Sequence, residues 1–90
     1  MEKKLLTKKK LSDAPGVYFF LDAKKKTMYI GKATSLRDRV KSYFAKDLIA
    51  TRGPLIVDMV FKSSDLKWQE TDSVLEALIL EANLIKKYKP

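Results

Sequence analysis

Gly16-Val17-Tyr18-Phe19-Phe20-Leu21, followed one polar loop later by Met28-Tyr29-Ile30-Gly31-Lys32, decides how this 90-residue chain is read. Both runs are built from β-branched and aromatic residues, and Asp22-Ala23-Lys24-Lys25-Lys26-Thr27 lies between them. That pattern predicts two strands joined by a solvated hairpin loop, a little longer than the tightest turns. Side chains alternate along a strand, so Gly16, Tyr18 and Phe20 share one face, and Tyr29 and Gly31 share one face of the neighbouring strand. Both tyrosines can then present their hydroxyls on the same side, beside a glycine that lets another group approach the backbone.

Asp13-Ala14-Pro15 is turn chemistry that delivers the chain into the first strand, and residues 1–12 form a basic lead-in. After Lys32, Thr34 or Ser35 caps a helix expected to run to about Lys46. Leu36, Val40 and Tyr43 form its core stripe with Phe44 at the edge, and Arg39 lies on the flank one turn before Tyr43. Residues 47–53 read as a connection. Residues 54–63 stay open between two readings. Their β-branched run favours a strand, while Pro54 as a first helical residue and the pairs Leu55/Met59 and Ile56/Val60 favour a helix. Leu66 to Glu70 alternates as a third strand. Ser73 and Glu76 form an S-x-x-E capping box that opens a helix to about Lys87.

On that last helix Val74, Ala77, Leu78, Leu84, Ile85 and Tyr88 project into one sector, and Glu81 falls inside it. A carboxylate in an apolar stripe costs several kcal/mol, of order ~3, unless it is paired or bound to a cation. An ion pair with an upstream Lys or Arg and a metal site are equally good readings of Glu81 from the residues alone.

Composition narrows the chemistry. The chain has 19 Lys+Arg against 11 Asp+Glu, a formal net charge of +8, which points to a polyanionic partner, most simply nucleic acid. It contains no cysteine and no histidine, so thiolate chemistry and imidazole bases are excluded, and catalysis must run on Tyr, Lys, Arg and carboxylates. The length suits one small domain over residues 1–90. No stretch approaches the apolar length of a membrane span, and a cytoplasmic home is expected.

The residues GVY…YIG, within APGVY, YIGKATSLRDRVKSYF and TDSVLEALILEANLIKKYKP, resemble the GIY-YIG nuclease family, with Val17 in place of the usual isoleucine. The flanking text is similar to the N-terminal nuclease domain of the UvrC-type excinucleases of bacterial nucleotide-excision repair, over roughly residues 13–90. The resemblance implies an α/β (α+β) fold, a small three-stranded antiparallel sheet surrounded by helices, with a short helix at 54–63. It implies a metal-dependent DNA endonuclease that nicks one strand as a 3′ incision module. A non-catalytic basic module that docks DNA or a repair partner is the alternative. It assigns Tyr18, Tyr29, Gly31, Lys32, Arg39 and Tyr43 to the active site, and Glu81 to a divalent metal, Mg²⁺ or Mn²⁺. It also implies a damage-loading (UvrB-like) partner acting through regions outside this chain. The family's text continues beyond a Lys-Pro like Lys89-Pro90 with a tyrosine and an active-site asparagine.

The chemistry fits these residue types. A hard cation held by few protein ligands relieves charge on the phosphate and leaving oxygens. Arg39 and Tyr43 can hydrogen-bond phosphate oxygens. A phenol titrates near ~10 and needs nearby positive charge to serve as a base. Lys32, adjacent to Gly31, and the cation are expected to supply that charge. Tyr29 is favoured as the base and Tyr18 as its positioning partner, with the reverse assignment open.

Overall fold

The computed structural model describes residues 10–44 and 52–88. Most of the basic lead-in, the expected end of the first helix at residues 45–46 and most of the 47–53 connection lie outside the described residues. Three strands, β1 (Gly16–Leu21), β2 (Thr27–Ala33) and β3 (Asp65–Glu70), form one antiparallel sheet in the order β2-β1-β3. Three helices follow the strands in sequence or separate them: α1 (Leu36–Ser42), α2 (Pro54–Lys62) and α3 (Val74–Tyr88).

β1 is apolar nearly throughout because it is central and covered on both faces. On one face Tyr18, Phe20, Ala33 and Leu66 pack with Leu36, Val40 and Tyr43 of the α1 segment and with Val60 of α2. On the other, Val17 and Ile30 pack with Ala77, and Phe19, Leu80 and Leu84 surround them. Each fully buried aliphatic side chain stabilises the fold by roughly 1.5–3 kcal/mol. The hairpin turns where Asp22 Oδ1 accepts from the backbone N–H of Lys24 and of Lys26, both at 2.9 Å. Lys25 adopts φ 64° there, in the left-handed region. A register shift at Phe20/Leu21 leaves Met28 as an extra residue in β2.

Ser35 is the N-cap of α1, its Oγ accepting from Asp38 N–H at 3.3 Å. The helix is shorter than its stripe suggests. Tyr43 N–H and Phe44 N–H reach back only three residues, to the Val40 and Lys41 carbonyls, which tightens the last turn. The α1 start is tied down by Leu36 N–H to Ala14 O and Arg37 N–H to Ser12 O, both 3.0 Å. Ser12 Oγ in turn donates to Glu70 Oε1 at 2.5 Å, at the end of β3.

Residues 54–62 are helical, which settles the strand-or-helix question. Gly53 provides a positive φ of 87° at the N-cap and Pro54 opens the first turn. Ser73 caps α3 by accepting from Glu76 N–H at 3.1 Å, while Glu76 Oε2 accepts from Asp72 N–H. The capping box is therefore present with its return arm one residue early.

The buried face of α3 differs from the expected sector. Ala77 is fully buried, and Leu80 and Leu84 pack beside it, whereas Val74, Leu78, Ile85 and Tyr88 are 42–51% exposed. This helix is apolar on most of its circumference, so a wheel offers several candidate stripes. The small Ala77 is what allows close approach to Val17 and Ile30. Glu81 consequently sits at the rim of the buried face, not at its centre.

Candidate active site

The sheet register builds the first half of the site. Tyr18 pairs with Gly31 and Phe20 with Tyr29, so all four lie on the α1 side. Gly31 is required by what crosses it: a Cβ there would stand 2.3 Å from Tyr18 Cζ and Oη. Tyr18, Tyr29 and Tyr43 then form a cluster of three rings. Tyr18 stacks on Tyr29 at 6.4 Å between centroids, and Tyr43 meets both edge-on, at 5.7 and 6.4 Å. The Tyr18 and Tyr43 hydroxyls share a hydrogen bond of 2.5 Å. Both of these residues are only 1% exposed, while Tyr29 is half-buried.

The second half lies on the opposite face. Lys32 pairs with Val17, so alternation along β2 turns it away from Tyr29 and Gly31 and towards α3. Its Nζ lies 3.6 Å from Glu81 Oε1, with the Glu81 side chain 16% exposed. Lys32 therefore does not stand over the tyrosines as expected, because neighbouring residues in a strand point to opposite faces. The two halves meet around β2, which is an edge strand. A cleft of about 700 Å³ runs there, lined by residues 32–35 at the end of β2, by Asp38, Arg39 and Ser42 of α1, by Arg52, and by Val74 and Ala77 of α3. Glu81 follows Ala77 by one helical turn on the same flank of α3.

Arg52 has no counterpart among the residues expected from the sequence. Its Nη1 donates to Tyr43 Oη at 3.3 Å, and its Cζ lies 4.9 Å from the centre of the Tyr43 ring. The interaction joins residues nine apart through a segment with no periodic pattern, so nothing in the linear order announced it.

Burial dominates the electrostatics. It pushes the Tyr43 phenol up to about 12, helped by the Tyr18 hydroxyl. It also raises Tyr29, with Tyr43 adding to the effect and Arg39 and Arg52 pulling the other way. For Arg39, burial acts to lower the guanidinium, but the adjacent Tyr18 hydroxyl and the other phenols outweigh it and hold it above its usual value. The positive charge acting on these phenols thus comes from two arginines. Among the described residues no three His, Cys, Asp or Glu side chains gather into a ligand cage, and Glu81 stands as a single carboxylate.

The sequence model of the UvrC-like GIY-YIG domain matches residues 14–90. The chain belongs to that family. UvrABC system protein C of Ruminiclostridium cellulolyticum is 46% identical over 82 residues, which are 91% of this chain and 13% of the relative. That of Nitrosococcus oceani is 48% identical over 80 residues, 89% of this chain and again 13% of the relative. The chain thus spans about 13% of the length of these relatives.

The GIY-YIG N-terminal endonuclease domain of UvrC from Thermotoga maritima, solved with its catalytic divalent cation magnesium, superposes with a TM-score of 0.84 at 34% identity, covering 100% of this chain and 96% of that one. A tyrosine-to-phenylalanine mutant of that domain, also bound to the cation, gives a TM-score of 0.84 at 33% identity, covering 100% and 94%. The GIY-YIG family and the α+β sheet-and-helix architecture are thereby established for this chain. Among the described residues no helix is long and apolar enough to cross a membrane.

Proposed function

We propose that this GIY-YIG domain is a divalent-metal-dependent DNA endonuclease that hydrolyses one phosphodiester bond to nick a single strand. In its longer relatives the same module would make the 3′ incision of excision repair, delivered to damage in the cytoplasm by a UvrB-like partner through other regions. The observation that carries this reading is the position of Glu81, a largely buried carboxylate beside a cationic cleft, paired among the described residues with an ammonium at 3.6 Å. That separation is longer than a hydrogen bond, so the carboxylate oxygens retain acceptor capacity.

The residues fit a hard cation that keeps most of its waters, since one carboxylate is enough to hold it. A Mg²⁺ or Mn²⁺ ion on Glu81 would supply charge neutralisation at the phosphate and at the leaving alkoxide. The chain does the rest. Arg39, protonated and exposed, grips phosphate oxygens through its planar fork. Lys32 offsets the charge of Glu81 and adds positive charge to the cleft wall. Tyr29, the one partly exposed phenol of the three, takes the proton from the attacking water. Tyr18 and Tyr43 are too buried to meet substrate freely; both rings pack against Tyr29, and Tyr43 supports Arg52 from beneath. Gly31 provides the space for the Tyr18 ring.

Relaxation of supercoiled plasmid tests this reading. The isolated chain is expected to convert it to open circles when Mg²⁺ or Mn²⁺ is added, and to stop in EDTA. DNA binding without nicking under either metal would favour the docking-module alternative.

A further inference from the structure

One of the two arginines that line the cleft has a built support. Arg52 rests on the Tyr43 ring while donating to its oxygen. The Tyr43 hydroxyl is in turn joined to that of Tyr18 at 2.5 Å. Arg39 and Arg52 thus line the same cleft, and the phenol that holds Arg52 is itself anchored in the core. A guanidinium has five N–H donors in one plane. The contact with the Tyr43 hydroxyl uses one of those on Arg52, and the ring face supports the plane without occupying its edge.

Charge is the second observation. Among the described residues no carboxylate forms an ion pair with Arg39 or Arg52. Asp38, the acidic side chain on the cleft wall, is engaged by Arg37 Nε at 3.3 Å. Among the described residues, two guanidinium groups without acidic partners therefore line one concave surface, in a chain of net charge +8. Concave cationic surfaces concentrate anions, and a planar fork matches phosphate oxygens.

We infer that Arg52 is a second phosphate-binding residue of the cleft, gripping a nucleic-acid phosphate next to the one taken by Arg39, and that Tyr43 holds it in position. The identity of the anion as nucleic acid rests on the endonuclease reading, but the grip itself requires no cleavage.

The test is fluorescence anisotropy with a dye-labelled DNA duplex in EDTA, across a range of salt concentrations. Arg52→Ala should weaken binding about tenfold and reduce the slope of log K against log salt by about one. Arg52→Lys should keep the slope, because the charge remains, while recovering only part of the affinity. Tyr43→Phe should weaken binding a few-fold when Arg52 is present, about threefold, and have no effect once Arg52 is alanine. A wild-type slope in Arg52→Ala, with an unchanged circular dichroism spectrum, overturns the inference. If Arg52→Ala does not fold, Arg52→Gln removes the charge with less loss of packing and is subject to the same slope criterion. A wild-type chain that binds with this Arg52 dependence but never nicks leaves the inference standing and removes the endonuclease reading. A chain that nicks while ignoring Arg52 does the opposite.

Discussion

The Tyr18 ring lies across the backbone of Gly31, its partner on the adjacent strand, so closely that a Cβ at Gly31 would come within 2.3 Å of Cζ and Oη. Tyr18 is 1% exposed and its hydroxyl is bonded to Tyr43, so the ring has nowhere to retreat. Gly31→Ala should therefore cost about 1–3 kcal/mol, read as a lower urea midpoint, and should also break the hydroxyl pair. An unchanged midpoint would contradict the close approach.

Ala77 and Leu78 are neighbours in α3 with opposite surroundings. Ala77 is fully buried against Val17 and Ile30, whereas Leu78 is 45% exposed. Ala77→Leu should destabilise by about 1–3 kcal/mol and lift α3 from the sheet, separating Glu81 from Lys32. Leu78→Ala should cost less than about 1 kcal/mol. Thermal melts of both variants check the direction α3 faces, and equal losses would argue for the apolar sector read from the helical wheel.

Folding stability should decline in alkali. The Tyr43 phenol is pushed up to about 12 in the folded chain from 10.0, because burial disfavours the phenolate. Between those values the unfolded state has already released its proton while the folded state still holds it, so stability present below pH ~10 is lost as pH rises towards ~12. Urea midpoints at pH 9 and pH 11 measure this. In Tyr43→Phe the decline should be shallower, and an identical decline would remove Tyr43 as its source.

The nicking rate should follow phenolate population. Tyr29 is raised above 10.0, chiefly by burial and then by Tyr43, so the fraction ionised at neutral pH is small and grows about tenfold per pH unit. The logarithm of the rate at saturating metal should rise with near-unit slope through pH 7–9.5, roughly, without levelling off. Tyr29→Phe should abolish that slope and Tyr18→Phe should lower the rate while keeping it. The reverse pattern would exchange the two roles. Lys32→Met should leave the slope in place, since Lys32 faces α3 and not the phenols.

Much of this arrangement is legible in the linear order, and the exceptions have physical causes. Alternation puts Tyr18, Tyr29 and Gly31 on one face, and the same rule, applied to Lys32, turns it to the other. Proximity in sequence to Gly31 is a poorer guide than strand geometry. The Leu36, Val40 and Tyr43 stripe is all buried, because α1 is polar elsewhere and offers a single face. In α3 the signal is degenerate, since Leu75, Leu78, Ile79 and Ile85 are as apolar as the residues that face the sheet. In α2 the run Ile56-Val57 suits a strand as well as a helix, and Gly53 with Pro54 decides for the helix only once the turn is seen. Arg52 is invisible in sequence because its meaning comes from a ring on another segment.

Metal-dependent nicking in Glu81→Gln tests the central claim most directly. The amide keeps the size of the side chain at the rim of the buried face and removes its charge, and the exposed half of the Lys32 pair means that little stability, under about 1 kcal/mol, is lost. Conversion of supercoiled plasmid would be followed while Mg²⁺ is titrated, with circular dichroism confirming the fold. The wild-type chain should nick with saturable metal dependence, and Glu81→Gln should show no nicking at any Mg²⁺ concentration. Wild-type nicking by a folded Glu81→Gln variant would contradict the account.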